Sequence, residues 1–229
     1  MGRALLRLAC ADARFELVAA VSRSGSAIEG LAVPVLSATE LSRCPAFDVA
    51  IDFSLPDGFD AILAECVARG AALVSGTTGL DERQRARLGE AGRTIPVLWA
   101  SNFSMGVVVL EDLVRRASSA LRQWRVEITE THHVHKRDAP SGTALTLAQA
   151  ARTGDGALPG IQSIREGEVV GEHLVRFSGP GECLELAHRA TDRDVFTLGA
   201  LESAARLRGR APGNWRLAEL ILGESAGGD

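Results

Sequence analysis

The 229-residue sequence lacks three features that would each point to a particular class of protein. It has no run of lysine and arginine, and its formal net charge is -4, so it carries no basic footprint for nucleic acid. No apolar run approaches the roughly 20 residues that span a membrane. Acidic residues accompany the arginines of residues 1–21, which fits neither a signal nor a transit peptide. We therefore expect a cytoplasmic protein without nucleic-acid or membrane partners.

The cysteines lack the spacing of a metal or redox site. Cys10, Cys44, Cys66 and Cys183 are far apart, and no CxxC pair occurs. We expect free thiols in a reducing compartment and no bound metal. The hydrophobic fraction of 46% is that of a globular protein, and the length allows one or two domains.

Lysine is almost absent. Of the 25 lysine and arginine residues, 24 are arginine and only Lys136 is lysine. An arginine side chain does not release its proton near neutral pH, whereas a lysine side chain can. A single lysine in such a chain is therefore a candidate for proton transfer, the alternative being chance.

The first half of the chain alternates short apolar strands with amphipathic helices. This alternation is typical of a doubly wound, Rossmann-like parallel sheet of the α/β class. The predicted elements are a helix near residues 4–9, strands at 15–21, 47–53, 71–75 and 95–101, and helices at 56–69 and 81–91.

The second half has strands in which every other residue is apolar, which predicts a mixed or antiparallel sheet in a second α+β domain. No strand is expected after residue 194, where a helix and a final apolar stretch return to the first domain. Residues 1–103 and 193–229 then form one domain and residues 104–192 the other. The predicted elements are helices at 106–121, 141–152 and 194–208, strands at 125–131, 172–178 and 182–188, and an apolar stretch at 215–222.

Three loops follow strands of the predicted parallel sheet, where ligands bind beyond the carboxyl ends of the strands. They are Asp52–Gly58, Ser75–Gly79 and Ala100–Ser104. Their glycines allow a close backbone approach, and their hydroxyl and amide groups can donate hydrogen bonds. Each loop alone could be ordinary turn chemistry. Together they predict a nucleotide-binding crevice.

The densest group of reactive side chains is the segment ETHHVHKRDAPSGTA at residues 130–144, with three of the five histidines and the lysine. Ser141 is a natural N-cap for a helix, and the amides of Gly142 and Thr143 would form its partly positive end, which suits a carboxylate. With His133 and Lys136 nearby, the segment predicts a pocket for a small acidic substrate.

Other interpretations of this segment remain open. His132, His133 and His135 could ligate zinc, although no further ligand set has suitable spacing and Lys136 would repel a cation. Ser141 could be a nucleophile, but capping explains its position better. The loop could also be merely structural, with histidines that only satisfy hydrogen bonds. General acid catalysis by histidine or lysine is the interpretation we favour.

In order along the chain, the motifs IDFSLPDG, SGTTGL, ASNFSMGV, ETHHVHKRDAPSGTAL, REGEVVGEHLVRFSGPGE and DRDVFTLGAL resemble the dihydrodipicolinate reductase family. The resemblance covers most of the chain. It implies an NAD(P)H-dependent oxidoreductase of the diaminopimelate route to lysine, which reduces 4-hydroxy-tetrahydrodipicolinate, a small dicarboxylate. It also implies a substrate domain whose sheet builds a homotetramer.

The resemblance also implies residue roles. His132 matches the catalytic acid/base and Lys136 a second proton donor. His133, Gly142 and Thr143 match the groups that hold the substrate carboxylates. No metal is implied. The implied cofactor-binding residues are Met1, Arg23, Gly76, Thr77, Thr78, Ala100, Ser101, Asn102 and Phe103.

The chain departs from the family pattern at its beginning. Met1-Gly2-Arg3 fits only the tail of the family's glycine-rich phosphate loop, which normally follows a first strand. Either the given sequence starts too late, which we favour, or the protein binds nucleotide poorly. The second case implies a catalytically weak homologue that acts as a substrate-binding or assembly subunit. A different reductase acting on another cyclic imine is a third hypothesis, against which the DAPSGT motif argues.

Two further departures concern the cofactor and a loop. Where an acidic residue would hold a ribose 2′-hydroxyl, the chain has Ser22 and Arg23, so we favour NADPH over NADH. The stretch 151–165 is shorter than is usual in the family and contains Gly154, Gly156, Pro159 and Gly160. We expect this trimming to alter assembly more than chemistry.

Overall fold

The computed structural model describes residues 1–152 and 156–223. The chain divides into two compact units, Met1–Phe103 with Phe196–Asp229, and Ser104–Val195. Gly154 of the shortened stretch and the last six residues of the predicted first domain lie outside the described residues.

The helices and strands are numbered along the whole chain. The helices are α1 (Gly2–Ala11), α2 (Pro56–Arg69), α3 (Glu82–Ala91), α4 (Met105–Ala120), α5 (Gly142–Ala150), α6 (Asp194–Leu207) and α7 (Leu217–Leu222), with a 3-10 helix at Ala38–Arg43. The strands are β1 (Ala20–Val21), β2 (Val35–Leu36), β3 (Val49–Asp52), β4 (Ala72–Ser75), β5 (Pro96–Trp99), β6 (Arg125–His132), β7 (Gly160–Arg165), β8 (Gly171–Gly179), β9 (Glu182–Ala190) and β10 (Gly213–Trp215).

The first unit contains a four-stranded parallel sheet in the order β10-β5-β4-β3. Apolar side chains of α2 and α3 pack with those of β4 and β5 in one core, which includes Phe59, Leu73 and Val97. Local signals set the helix ends. Pro56 begins α2, and the Asp81 side chain accepts a hydrogen bond from Gln84 N to cap α3. The predicted Rossmann-like class is confirmed.

Strand β10 was not predicted, and the expectation of no strand after residue 194 is wrong. Its three residues pair in parallel with β5, Gly213 opposite Pro96, and the Asn214 amide donates to Gly89 O at 2.9 Å. A strand this short carries no periodicity of its own, so only pairing with β5 identifies it.

The buried strand predicted at residues 15–21 is wrong in length and in burial. Only Ala20 and Val21 form β1, which pairs with β2 in a separate two-stranded sheet. Val21 is 45% exposed. An apolar run becomes a buried strand only where layers cover it on both faces, and the run itself does not show whether they do.

The second unit is built on a mixed sheet in the order β7-β6-β8-β9, in which only β6 and β7 are parallel. Val126, Ile128 and Phe177 face α4 and α5 and form a core with Leu147. The predicted mixed sheet is confirmed. Strand β7 was missed, since its burial alternates weakly and its partner lies about thirty residues away.

None of the helices in residues 1–152 and 156–223 combines the length and the apolar character needed to cross a membrane.

Candidate active site

His132 and Glu130 form a buried pair near the end of β6. They are two residues apart on a strand, so their side chains lie on the same face of the sheet. Glu130 has no exposed surface and His132 is 8% exposed. The Glu130 Oε2 atom makes a short hydrogen bond with His132 Nδ1, and Glu130 Oε1 accepts from Arg165 Nη2 at 2.9 Å.

The surroundings keep Glu130 ionised and His132 neutral. Burial acts to raise the pKa of Glu130, but hydrogen bonds from Arg165, Ser163 and His132 outweigh it, and the pKa lies below its usual value. Burial lowers the pKa of His132, and the charges of Lys136 and Arg165 add to this against the opposing effect of Glu130. At neutral pH the ring is therefore an uncharged imidazole.

Lys136 lies in the loop after β6 and contacts one carboxylate. Its Nζ atom donates to both oxygens of Asp138 at 2.8 Å, and this hydrogen bond lowers the pKa of Asp138. The backbone carbonyl of Asp138 accepts from Arg165 Nη2 at 2.5 Å. Arg165 thus connects the Glu130–His132 pair to the loop that carries Lys136.

The same loop leads into α5. The Ser141 hydroxyl accepts from Ala144 N at 3.2 Å and caps the helix, as predicted, and Ser141 is only 2% exposed. This role weighs against a nucleophilic serine. A Cβ at exposed Gly142 would meet nothing within 4 Å, so there is open space beside the helix N-terminus. His133 has a buried Nδ1 atom without a hydrogen-bond partner, and Thr143 is half-buried.

The zinc interpretation gains no support. Within the part of the chain that the structure describes, no group of three or more histidine, cysteine or acidic side chains could hold a metal ion. The His132 Nδ1 atom is already bonded to Glu130.

Two further histidines continue the row from His132 across the sheet. The His173 ring meets the His132 ring edge to face with centroids 5.2 Å apart, and the His188 ring lies 6.2 Å from that of His173. Burial and the neighbouring histidines lower the pKa of His173 to about 4. The Nε2 atom of each of these two rings forms a hydrogen bond with a serine that caps a helix. His173 Nε2 lies 3.4 Å from Ser141 Oγ, and His188 Nε2 lies 3.2 Å from Ser104 Oγ.

In the first unit, buried Asp52 joins two of the predicted cofactor loops. Its carboxylate accepts from Ser75 Oγ at 2.9 Å, Thr77 Oγ1 at 2.8 Å and Ser54 N at 2.9 Å. Trp99 Nε1 in turn donates to Thr77 O at 2.8 Å. The carboxyl ends of β3, β4 and β5 are therefore connected at one edge of the sheet, as the positions of the three loops after predicted parallel strands lead us to expect.

The packing around Gly76 depends on its lack of a side chain. A Cβ there would lie 2.3 Å from the Phe53 ring, and that ring packs edge to face on Phe103 at 5.5 Å. Ala100 N donates to Ser75 O at 3.1 Å, which fixes the third loop on β4. Of the remaining predicted residues, Thr78 and Ser101 are exposed, Asn102 is half-buried, and Phe103 is 1% exposed.

Met1 and Arg23 lie on other segments of the first unit. Met1 precedes α1 and is 46% exposed, and Arg23 is exposed in the bend after β1. The cofactor role of both residues stays a prediction, as do the roles of the loop residues above.

Several residues of the site were not singled out from the sequence. The spacing of Glu130 and His132 at the end of the strand predicted at 125–131 was a usable signal, because side chains two residues apart on a strand lie on one face. Arg165 and His173 had no such signal, since strand pairing alone places Arg165 opposite His132 and His173 opposite Glu130.

Comparisons with known proteins cover nearly the whole chain. Residues 1–103 match the family model "Dihydrodipicolinate reductase, N-terminus" and residues 106–221 match "Dihydrodipicolinate reductase, C-terminus". A 4-hydroxy-tetrahydrodipicolinate reductase of Xanthomonas campestris pv. campestris is 58% identical over 97% of this chain and 93% of its own length. The reductase of that name from Xylella fastidiosa is 55% identical over 97% of this chain and 94% of its own.

The structure of a dipicolinate-bound dihydrodipicolinate reductase from Paenisporosarcina sp. TG-14 has the same fold. It superposes with a TM-score of 0.78 at 23% identity and covers 94% of this chain and 92% of that one. By its family matches over both halves and its identity to curated relatives, the chain belongs to the dihydrodipicolinate reductase family.

Proposed function

We propose that the protein reduces 4-hydroxy-tetrahydrodipicolinate to tetrahydrodipicolinate with NADH or NADPH, in the diaminopimelate route to lysine. The observation that carries this proposal is a pair of proton-bearing side chains, each hydrogen-bonded to a carboxylate: His132 to Glu130 and Lys136 to Asp138. They occur in a chain that is 58% identical to a protein named for this reaction.

The substrate is a small dicarboxylate, and we assign its carboxylates to His133, Gly142 and Thr143. The N-terminus of α5 supplies a partly positive end, and Gly142 leaves open space beside it. The ammonium group of Lys136 adds positive charge to the same loop.

Lys136 and His132 handle the protons of the reaction. When bound, a nicotinamide cofactor would supply the hydride for C4 of the substrate ring, and the hydroxyl group that leaves as water would take up one proton. Lys136 is a donor whose ammonium keeps one proton that Asp138 does not accept, and neutral His132 can accept or relay a proton at the nitrogen that Glu130 does not occupy.

The loops of the first unit fit the nicotinamide half of the cofactor. Gly76 lets the Phe53 ring pack closely on the backbone of its loop, and Thr77 is held in place by Asp52. Thr78 and residues 100–103 complete the assigned set. Met1 is assigned to the cofactor by family resemblance, and Arg23 is assigned to a 2′-phosphate, which favours NADPH over NADH.

We further propose a cytoplasmic homotetramer. Residues 1–103 and 193–229 are assigned as its nucleotide-binding domain and residues 104–192 as its substrate and assembly domain. The helices α4 and α5 pack on one face of the mixed sheet, and the other face carries Leu174 between Thr129 and Ala187. This second face is the assigned contact between subunits.

The test is an assay of NADPH and NADH oxidation with 4-hydroxy-tetrahydrodipicolinate, paired with calorimetric titration of each nucleotide. We expect substrate-dependent oxidation, with tighter binding of NADPH than of NADH. Binding of nucleotide or substrate without turnover would overturn the proposal in favour of a binding or assembly subunit. Equal affinity for the two nucleotides would remove the role of Arg23.

A further inference from the structure

We infer that Glu130 and Arg165 are positioning residues, which fix the tautomer of His132 and hold it in register with the loop that carries Lys136. The catalytic meaning of this inference rests on the proposed function of His132 and Lys136. Neither Glu130 nor Arg165 needs to contact the substrate for it to hold.

The two oxygens of Glu130 have different hydrogen-bond partners. An ionised carboxylate can only accept hydrogen bonds, and here one oxygen accepts from Arg165 and the other contacts His132 Nδ1. The His132 Nδ1 atom must therefore carry the ring proton. In the neutral ring, the lone pair is then on Nε2.

The space beside His132 Nε2 is open because the facing residue is a glycine. Gly171 lies next to His132 on the neighbouring strand, and a Cβ at Gly171 would stand 3.1 Å from His132 Nε2. The absent side chain keeps that nitrogen uncrowded. The ring of His173 packs against the edge of the His132 ring and limits its rotation.

The guanidinium of Arg165 donates hydrogen bonds to two separate segments of the chain. Its Nη2 atom donates to Glu130 Oε1 at 2.9 Å and to the carbonyl of Asp138 at 2.5 Å, and its Nη1 atom donates to Ile164 O at 2.7 Å. The single Nη2 atom therefore bridges Glu130 and Asp138 while Nη1 holds the backbone beside it, and a lysine nitrogen would lie one bond nearer the backbone than Nη2. Because the Asp138 carboxylate holds Lys136, one arginine connects both proton-bearing groups.

These contacts predict the effect of Glu130→Gln. The guanidinium of Arg165 can only donate hydrogen bonds, so it would pair with the side-chain oxygen of the new glutamine. The side-chain NH₂ group of the glutamine would then face His132 Nδ1. That nitrogen would have to accept, and the ring proton would move to Nε2. In Glu130→Asp a carboxylate remains, so the ring proton should stay on Nδ1.

The experiment is solid-state ¹⁵N NMR of histidine-labelled protein at pH 8, with the His132 signals assigned by a His132→Asn variant. We expect a protonated Nδ1 in the native protein and in Glu130→Asp, and a protonated Nε2 in Glu130→Gln. Glu111→Gln is the matched control. It removes a carboxylate that pairs with Arg115 at 2.6 Å on α4, and it should leave the His132 signals unchanged.

Kinetics supply the second readout. We expect Glu130→Gln to lower kcat by about 10²- to 10⁴-fold with little change in the KM of the nucleotide, and Glu111→Gln to leave both unchanged. Arg165→Lys should keep the native tautomer but lower kcat at least about 10-fold, because the lysine side chain ends one bond short of Nη2 and cannot reach Glu130 and Asp138 together.

A native His132 protonated on Nε2, or one tautomer in both the native protein and Glu130→Gln, would overturn the inference. So would native kcat in Arg165→Lys. The expected tautomers in a protein without reductase turnover would instead contradict the proposed function, because the NMR measurement does not depend on catalysis.

Discussion

His132 and Lys136 contact carboxylates in different environments. Glu130 is fully buried and accepts from His132 and Arg165, whereas the Asp138 side chain is 59% exposed and accepts from Lys136. A buried carboxylate fixes the orientation and tautomer of its partner, because water cannot replace it. An exposed carboxylate releases its partner more easily, which suits the proton-donor role that we propose for Lys136.

Lys136→Arg separates charge from proton transfer. The arginine keeps the positive charge but does not release a proton near neutral pH. We expect kcat to fall by about 10²- to 10⁴-fold while the KM of the substrate changes little, measured by NADPH oxidation. Full turnover in this variant would mean that Lys136 only binds carboxylate.

Because of His173, we expect the free energy of unfolding to fall in acid. The pKa of this histidine is lowered to about 4 in the folded protein from an ordinary value of 6.5. Between these values the unfolded chain binds a proton that the folded chain does not, so the free energy of unfolding falls as the pH falls from 6.5 to 4. For this residue alone the loss at pH 4.5 is about 2 to 3 kcal/mol.

Urea denaturation at pH 7.5 and pH 4.5, followed by circular dichroism, measures this loss. We expect the fall in unfolding free energy to be smaller in His173→Gln than in the native protein by about that amount. An identical fall in both proteins would show that His173 does not resist protonation in the folded state.

At the scale of elements, the ends of the parallel strands are joined by side chains rather than by backbone alone. Asp52 at the end of β3 accepts from Ser75 and Thr77 at the end of β4, and Trp99 of β5 donates to the backbone of Thr77. The loop after β4 therefore has little freedom to move. Preorganisation of this kind reduces the entropy lost when a nucleotide binds.

Gly76→Ala tests this packing. The added methyl group would lie 2.3 Å from the Phe53 ring, so the loop or the ring must shift. We expect the Kd for NADPH to rise by about 10- to 100-fold, measured by calorimetry, because small displacements of positioning groups have effects of this size. Gly89→Ala on exposed α3 is the control, since its methyl group would meet nothing within 4 Å and should leave the Kd unchanged. An unaltered Kd in Gly76→Ala would exclude this loop from nucleotide binding.

At the scale of the whole molecule, the proposed assembly uses the sheet face that α4 and α5 do not cover. Cross-strand ion pairs occupy both ends of this face, Arg176 with Glu185 and Arg189 with Glu172, and Leu174 lies between them. Ion pairs that flank an apolar centre can set the register of two copies while contributing little affinity.

Leu174→Glu is expected to break the proposed homotetramer. A carboxylate in the centre of this face would lose its hydration on association. Size-exclusion chromatography with light scattering should show four chains for the native protein and fewer for the variant. Leu113→Glu, at a 45% exposed position on α4, is the control and should keep four chains. A native monomer would contradict the proposed assembly.

The local features of the protein follow from the sequence alone. Periodicity identifies the helices α1 to α6 and the strands β3 to β6, β8 and β9. Ser141 marks the start of α5 because a hydroxyl at that position satisfies a backbone amide. The alternation along β6 places Glu130 and His132 on one face. The motif that contains Lys136 identifies the candidate chemistry before any contact is known.

Only the tertiary structure decides what lies beside these residues. The register of β6 with β7 sets Arg165 opposite His132, and that of β6 with β8 sets His173 opposite Glu130. Pairing with β5 likewise makes a strand of residues 213–215, whereas the pairing of β1 with β2 begins only at Ala20, so residues 15–19 lie outside that strand. Register arises from hydrogen bonds and packing between distant segments, and a local period carries no information about which segments meet.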